Sequence, residues 1–94
     1  MSLTTAIVQI DVEADRIPEA AEAIVNIDGV TEVYSITGDW DLLVMVRVTD
    51  HEQLAEIIPN QISKVDGVVR TETQLAFRAY SRHDLEAAFS LGLD

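Results

Sequence analysis

The sequence predicts a single α+β domain of the ferredoxin-like class. In full, this is a βαββαβ sandwich with a four-stranded antiparallel sheet, two helices on one face and a short extra C-terminal helix. Three observations predict it. Hydropathy switches between period two and period 3.6 in the order strand, helix, strand, strand, helix, strand, helix. The phrase Ile27-Asp28-Gly29-Val30 recurs as Val65-Asp66-Gly67-Val68, each time between a helix and a strand, which suggests two matched halves. A chain of 94 residues, 48% hydrophobic, suits one core and not two, so residues 1–94 read as one domain.

The first strand is expected over residues 4–13, where Ala6, Val8, Ile10 and Val12 alternate with Thr5, Ile7, Gln9 and Asp11. A helix follows over 16–27. Ile17, Ala20, Ala21, Ile24 and Val25 share one side of it, Pro18 suits its first turn and Gly29 its end. Residues 30–37 form a β-branched second strand, 38–41 a turn, and 42–49 a third strand that is apolar on both faces apart from Arg47.

Asp50 and Gln53 have capping-box spacing and open a second helix through Leu54, Ile57, Ile58 and Ile62, which Pro59 kinks or splits. A long fourth strand is expected over 68–80. Ser81 and Asp84 then cap a short terminal helix that carries Leu85, Ala88 and Phe89 and ends at Gly92.

The totals exclude several function classes. With no cysteine, disulfides and thiolate metal sites are ruled out, and a cytoplasmic, reducing home is the simplest. The N-terminus has neither the basic nor the apolar region of a signal peptide, and no apolar run approaches a membrane span. A net charge of -11, with six scattered basic residues, repels nucleic acid and anionic lipid.

Leu43, Met45, Leu75 and Phe77 are candidates for either face of the sheet. Two helices on one face leave the other bare, and a bare apolar face is an association surface, most economically covered by a second copy, sheet to sheet. The turn Gly38-Asp39-Trp40-Asp41 holds the only tryptophan and two carboxylates. Its residue chemistry leaves two readings: a tight hairpin whose Trp40 packs at a contact, or a ligand loop. In the second, a carboxylate accepts from an ammonium group and backbone N–H groups hold a carboxylate. Asp11, Glu13 and Asp15 read as a solvated strand edge. His51 and His83 read as structural first-turn histidines. No nucleophile with a base, phosphate loop or zinc spacing is present.

These residues resemble the C-terminal effector-binding (RAM) domain of the Lrp/AsnC transcription regulators. The residues that carry the resemblance are the Asp28-Gly29-Val30 and Asp66-Gly67-Val68 joints, the Gly38-Asp39-Trp40-Asp41-Leu42 turn and Arg70-Thr71-Glu72-Thr73. The likeness covers roughly residues 4–80. The Gly-x-aromatic-Asp turn is the most specific mark, with Trp where Tyr or Phe is commoner.

The resemblance implies a stand-alone form without the helix-turn-helix domain, and so no direct nucleic-acid contact. It implies a homodimer joined through the sheet, dimers assembled into a higher oligomer, and a small effector, usually an amino acid, bound between dimers. Full-length Lrp/AsnC-type regulators are a further implied partner. The matching ligand-binding positions are Ser35, Gly38, Asp39, Trp40, Asp41, His51, Thr73, Gln74, Leu75 and Ala76. Among them Asp41 is implied to meet the ammonium. Gly38, Asp39 and Trp40 are implied to give main-chain contacts, and Gln74, Leu75 and Ala76 to shape the side-chain pocket. His51 would make binding pH-sensitive. No cofactor, metal or catalytic residue is implied. Two other readings are a small dimeric monooxygenase-like enzyme, with Trp40 and His51 as its suspects, and a purely structural oligomerisation module.

Overall fold

A computed structural model describes residues 3–80 and Arg82. The elements are β1 (Thr4–Val12), α1 (Ile17–Val25), β2 (Val30–Ser35), β3 (Leu42–Val48), α2 (Gln53–Asn60) and β4 (Val68–Ala76). Short 3-10 turns lie at Ala14–Arg16 and Ile62–Lys64. The four strands form one antiparallel sheet in the order β2-β3-β1-β4, the ferredoxin-like arrangement the sequence predicts.

Side-chain alternation in the two central strands builds the core. Ala6, Val8, Ile10 and Val12 of β1 face the same way as Leu42, Val44, Val46 and Val48 of β3, and all eight are buried. Ala20 and Ile24 of α1, Leu54 and Ile57 of α2, and Ile62 close over them. Burying each branched aliphatic side chain contributes about 1.5–3 kcal/mol. Among the described residues no polar or charged side chain is buried, so the layer between sheet and helices is filled by aliphatic groups alone.

The opposite face is open. Antiparallel partners share a face, so Ile7 sits beside Met45 and Gln74, and Gln9 beside Leu43 and Glu72. Ile7, Leu43 and Met45 form its apolar centre, each only half-buried. Leu75 does not belong to it. It pairs with Ala6, and so points to the helix side at the outer edge, where it is 46% exposed.

The repeated phrase gives two equivalent joints. In each, the glycine has φ +97° and the N–H three residues on closes a turn: Val30 to the Ile27 carbonyl and Val68 to the Val65 carbonyl, both at 3.1 Å. That is a type II turn, which needs a positive φ at its third residue. The likeness extends past the turn. A β-bulge follows in both halves, between Val30 and Glu32 and between Val68 and Arg70, so Val30 and Val68 stay with the core while Glu32 and Arg70 turn to the open face.

The fourth strand ends at Ala76, not at residue 80: its last pair with β1 is Thr5 with Ala76, at the start of β1, and Phe77 is fully exposed. The second helix is split at Pro59, as its sequence suggests: α2 ends one residue after it, at Asn60, and a 3-10 turn takes over at Ile62–Lys64. Of the capping box only the Gln53 half forms, since the Gln53 N–H bonds to the Asp50 carbonyl and not to its carboxylate. The Asp50 N–H donates to Gln53 Oε1 and the Glu52 N–H to Asp50 Oδ1, each at 3.0 Å. The terminal helix predicted from Ser81 and Asp84, and the placement of His83, lie outside the described residues.

Candidate functional site

The turn at residues 38–41 leaves β2 and returns into β3, yet its firmest contacts are to β1. Asp41 carries three of its bonds. Its N–H donates to the Ile10 carbonyl at 3.0 Å, its carbonyl accepts from the Ile36 N–H at 3.0 Å, and its carboxylate Oδ2 accepts from the Val12 N–H at 2.9 Å. The end of a ladder explains the last bond. Pairing of β1 with β3 stops at Ile10 and Leu42, so the Val12 N–H on that side has no strand partner, and the Asp41 carboxylate takes it. Asp41 Oδ1 has no hydrogen bond among the described residues.

Trp40 is the next residue in the turn. The Arg70 guanidinium lies 4.2 Å from the centre of its ring, a cation–π distance. Arg70 is itself fixed, with its Nε donating to Asp11 Oδ2 at 2.6 Å. That bond first, and then the charges of Asp11, Glu72 and Asp39, hold the guanidinium pKa above its ordinary value. Asp11 is therefore not part of a solvated edge. It lies on a central strand and pairs with Arg70 across the ladder. Asp39 and Gly38 are exposed, and Gly38 has φ +107° with open space around it.

The ten predicted ligand residues divide into two groups. Ser35, Gly38, Asp39, Trp40 and Asp41 sit at one end of the sheet. His51 lies beyond Val48 at the other end, about 20 Å away at 3.3 Å per strand residue. Thr73, Gln74, Leu75 and Ala76 run along β4 away from the turn, opposite Val8, Ile7, Ala6 and Thr5 in that order. They also alternate between faces, Thr73 and Leu75 on the helix side and Gln74 and Ala76 on the open side. One chain brings only the turn group together. His51 is exposed.

Asp11 and Arg70 join the turn group, and sequence reasoning did not place them there. Arg70 stood in the Arg70-Thr71-Glu72-Thr73 motif, but its neighbours depend on strand register, which the bulge conceals.

The open face carries two further features. At its β2 corner Arg47 donates to Glu32 and Thr31, at 2.8 and 2.6 Å, and the Tyr34 hydroxyl donates to Glu32. Tyr34 first and Arg47 second hold the Glu32 carboxyl below the usual carboxylate range. At the end remote from the turn, a shallow cleft of about 220 Å³ is lined by Leu3, Ile7, Met45, Arg47, Phe77 and Arg78 among others. Among the described residues, no cluster of histidine and carboxylate side chains could hold a metal, and no helix is long and apolar enough to cross a membrane.

Comparison with known proteins agrees with this geometry. The family model of the Lrp/AsnC ligand binding domain matches residues 5–85. An HTH-type transcriptional regulator of Pyrococcus furiosus is 36% identical over 77 residues, which is 79% of this chain and 51% of that protein. The chain spans about half the length, or less, of such relatives. Among solved structures, a protein of Thermus thermophilus superposes with a TM-score of 0.78 at 46% identity, covering 84% of this chain and 99% of that one. A Neisseria meningitidis transcriptional regulator solved as a complex with L-Met has the same fold. Its TM-score is 0.75 at 15% identity, over 84% of this chain and 53% of that one. With its sheet order, its matched joints and its Gly-Asp-Trp-Asp turn, the chain belongs to the Lrp/AsnC ligand-binding domain family.

Proposed function

We propose that this chain is a non-enzymatic amino-acid sensor of the cytoplasm, acting as a homodimer that assembles further and binds its effector where dimers meet. The observation that carries this reading is the turn at residues 38–41. It is fixed to the sheet by Asp41 and Trp40, while one Asp41 oxygen and the Asp39 carboxylate remain without a hydrogen bond among the described residues. Such an acceptor pair suits an ammonium group, and exposed backbone next to Gly38 suits a carboxylate.

The spread of the ten residues along the sheet supports a site made by more than one chain. Within such a site, the turn of one protomer would meet β4 residues or His51 of others. The L-Met of the Neisseria regulator makes amino acids the first ligand class to try. Because relatives carry this domain beside a DNA-reading one, mixed assembly with full-length regulators through the shared surface is part of the proposal.

The test is the melting temperature against each standard amino acid, with particle mass read by light scattering. A ligand at a hundredfold excess over its Kd adds about 2.7 kcal/mol, which raises the melting point of a domain this size by about 10 °C or more. Asp41→Asn is the control substitution. Its amide oxygen still accepts from Val12, whereas Asp41→Ala would strip that bond and disturb the turn itself. A selective shift in the wild type, lost in Asp41→Asn, is expected. No shift with any amino acid, from a stable oligomer, overturns the sensor reading and leaves an assembly module.

A further inference from the structure

We propose that Arg70, anchored by Asp11, is a positioning residue that holds Trp40 and so presets the turn at residues 38–41 for its ligand. This inference deepens the amino-acid reading and rests on it. The two side chains are far apart in sequence. Trp40 belongs to the β2–β3 connection, whereas Arg70 lies near the start of β4. Only the sheet order brings them together, since β1 lies between β3 and β4 and the turn folds back onto its end.

Three features make Arg70 a strut and not a loose surface cation. Its Nε is bonded to Asp11 at 2.6 Å, and the Asp11 side chain is only 24% exposed on a central strand, so the anchor is rigid. The bulge after Val68 turns Arg70 to the open face, where ordinary alternation would have placed it with the core. Its flat guanidinium lies over the indole, a geometry that a lysine ammonium reproduces in charge but not in shape. Asp41 fixes the base of the turn through β1, and Arg70 fixes its tip through Trp40. A side chain already held in place has no ordering cost left to meet when a ligand arrives.

Trp40 is the only tryptophan, so its fluorescence reports on the strut without any ligand. The experiment compares wild type with Arg70→Met, Arg70→Lys and Asp11→Asn. In Arg70→Met, Trp40 emission should move to the red and its quenching by acrylamide should rise, with the far-UV circular dichroism unchanged. Arg70→Lys should restore part of the change, and Asp11→Asn should reproduce part of it should Arg70→Met fail to fold. The probe is whichever standard amino acid raises the wild-type melting point. It should bind Arg70→Met about two- to tenfold more weakly, the range expected when one side chain must be ordered on binding.

Unchanged emission and quenching in both Arg70→Met and Asp11→Asn would overturn the proposal, as would a loosened Trp40 with undiminished probe affinity. If no amino acid shifts the wild type, the sensor reading falls, and the strut is then judged on the Trp40 signal alone.

Discussion

Glu32 and Arg70 hold the same place in the two halves of the chain, each two residues past a joint and one past a bulge. Each reaches an opposite charge on a central strand, Arg47 for Glu32 and Asp11 for Arg70. For Glu32 the consequence is a pH dependence of defined sign. Its folded pKa lies below the unfolded value near 4.5, so its contribution to stability is present above that value and is lost as pH falls through the folded one. Glu32→Gln should therefore unfold at lower urea than wild type at pH 7, and the gap should close as pH drops below about 4.5. Urea midpoints across pH 3–7 check this, and a gap that stays constant counts against it. Because the pair is at the surface, the effect should also shrink in high salt. None of this was legible in the sequence. Alternation predicts that Val30 and Glu32 share a face, and likewise Val68 and Arg70. An extra residue in each strand breaks that rule without changing composition.

At the scale of elements, the matched joints show what sequence patterns transmit well. Ile27-Asp28-Gly29-Val30 and Val65-Asp66-Gly67-Val68 fold alike down to single bonds. Gly29 and Gly67 even accept the same kind of N–H one step past the last ladder pair, from Arg47 and Glu13, each at 2.8 Å. The two glycines are not equally replaceable. A Cβ at Gly29 would meet Ile57 Cδ1 at 2.7 Å, the far end of a side chain that can rotate away. At Gly67 it would meet Arg16 Cβ at 2.8 Å, which moves only with the backbone that starts α1. Both alanine variants carry the left-handed backbone penalty of about 1–2 kcal/mol, and Gly67→Ala should exceed Gly29→Ala by a further margin. Denaturant midpoints rank them, and the reverse order would mean that the α1 start yields more easily than Ile57. Strand β1 was readable from its uninterrupted alternation and β3 from its nearly unbroken apolar run, both strands being central. The end of β4 was not, since it falls at the start of its partner β1 and is marked by no residue of β4.

For the whole molecule, the open face decides what the chain becomes. The turn was legible as a candidate site only through the family resemblance, since its residue chemistry left a packing hairpin open, and the other predicted residues lie along β4 and, for His51, at the far end of the sheet. In the proposed assembly, which of them meet would depend on the number of chains, a property that no single-chain pattern encodes. Ile7 is the position to test. It lies on β1 between Met45 and Gln74, in the middle of the face and clear of the turn. In a lone chain an aspartate there points to water and leaves the core intact. In a sheet-to-sheet dimer the two-fold places the change twice in one interface, and each unpaired carboxylate costs several kcal/mol of desolvation. Ile7→Asp should thus keep its far-UV circular dichroism and scatter light as single chains of 10.4 kDa. Glu22→Lys, on the exposed side of α1, should leave the wild-type mass unchanged. Each chain also carries a net charge of -11, so added salt should strengthen the wild-type association by screening repulsion between protomers. A wild-type mass retained by Ile7→Asp would move the association to another surface, and the open face would then have to be covered by something other than a second copy.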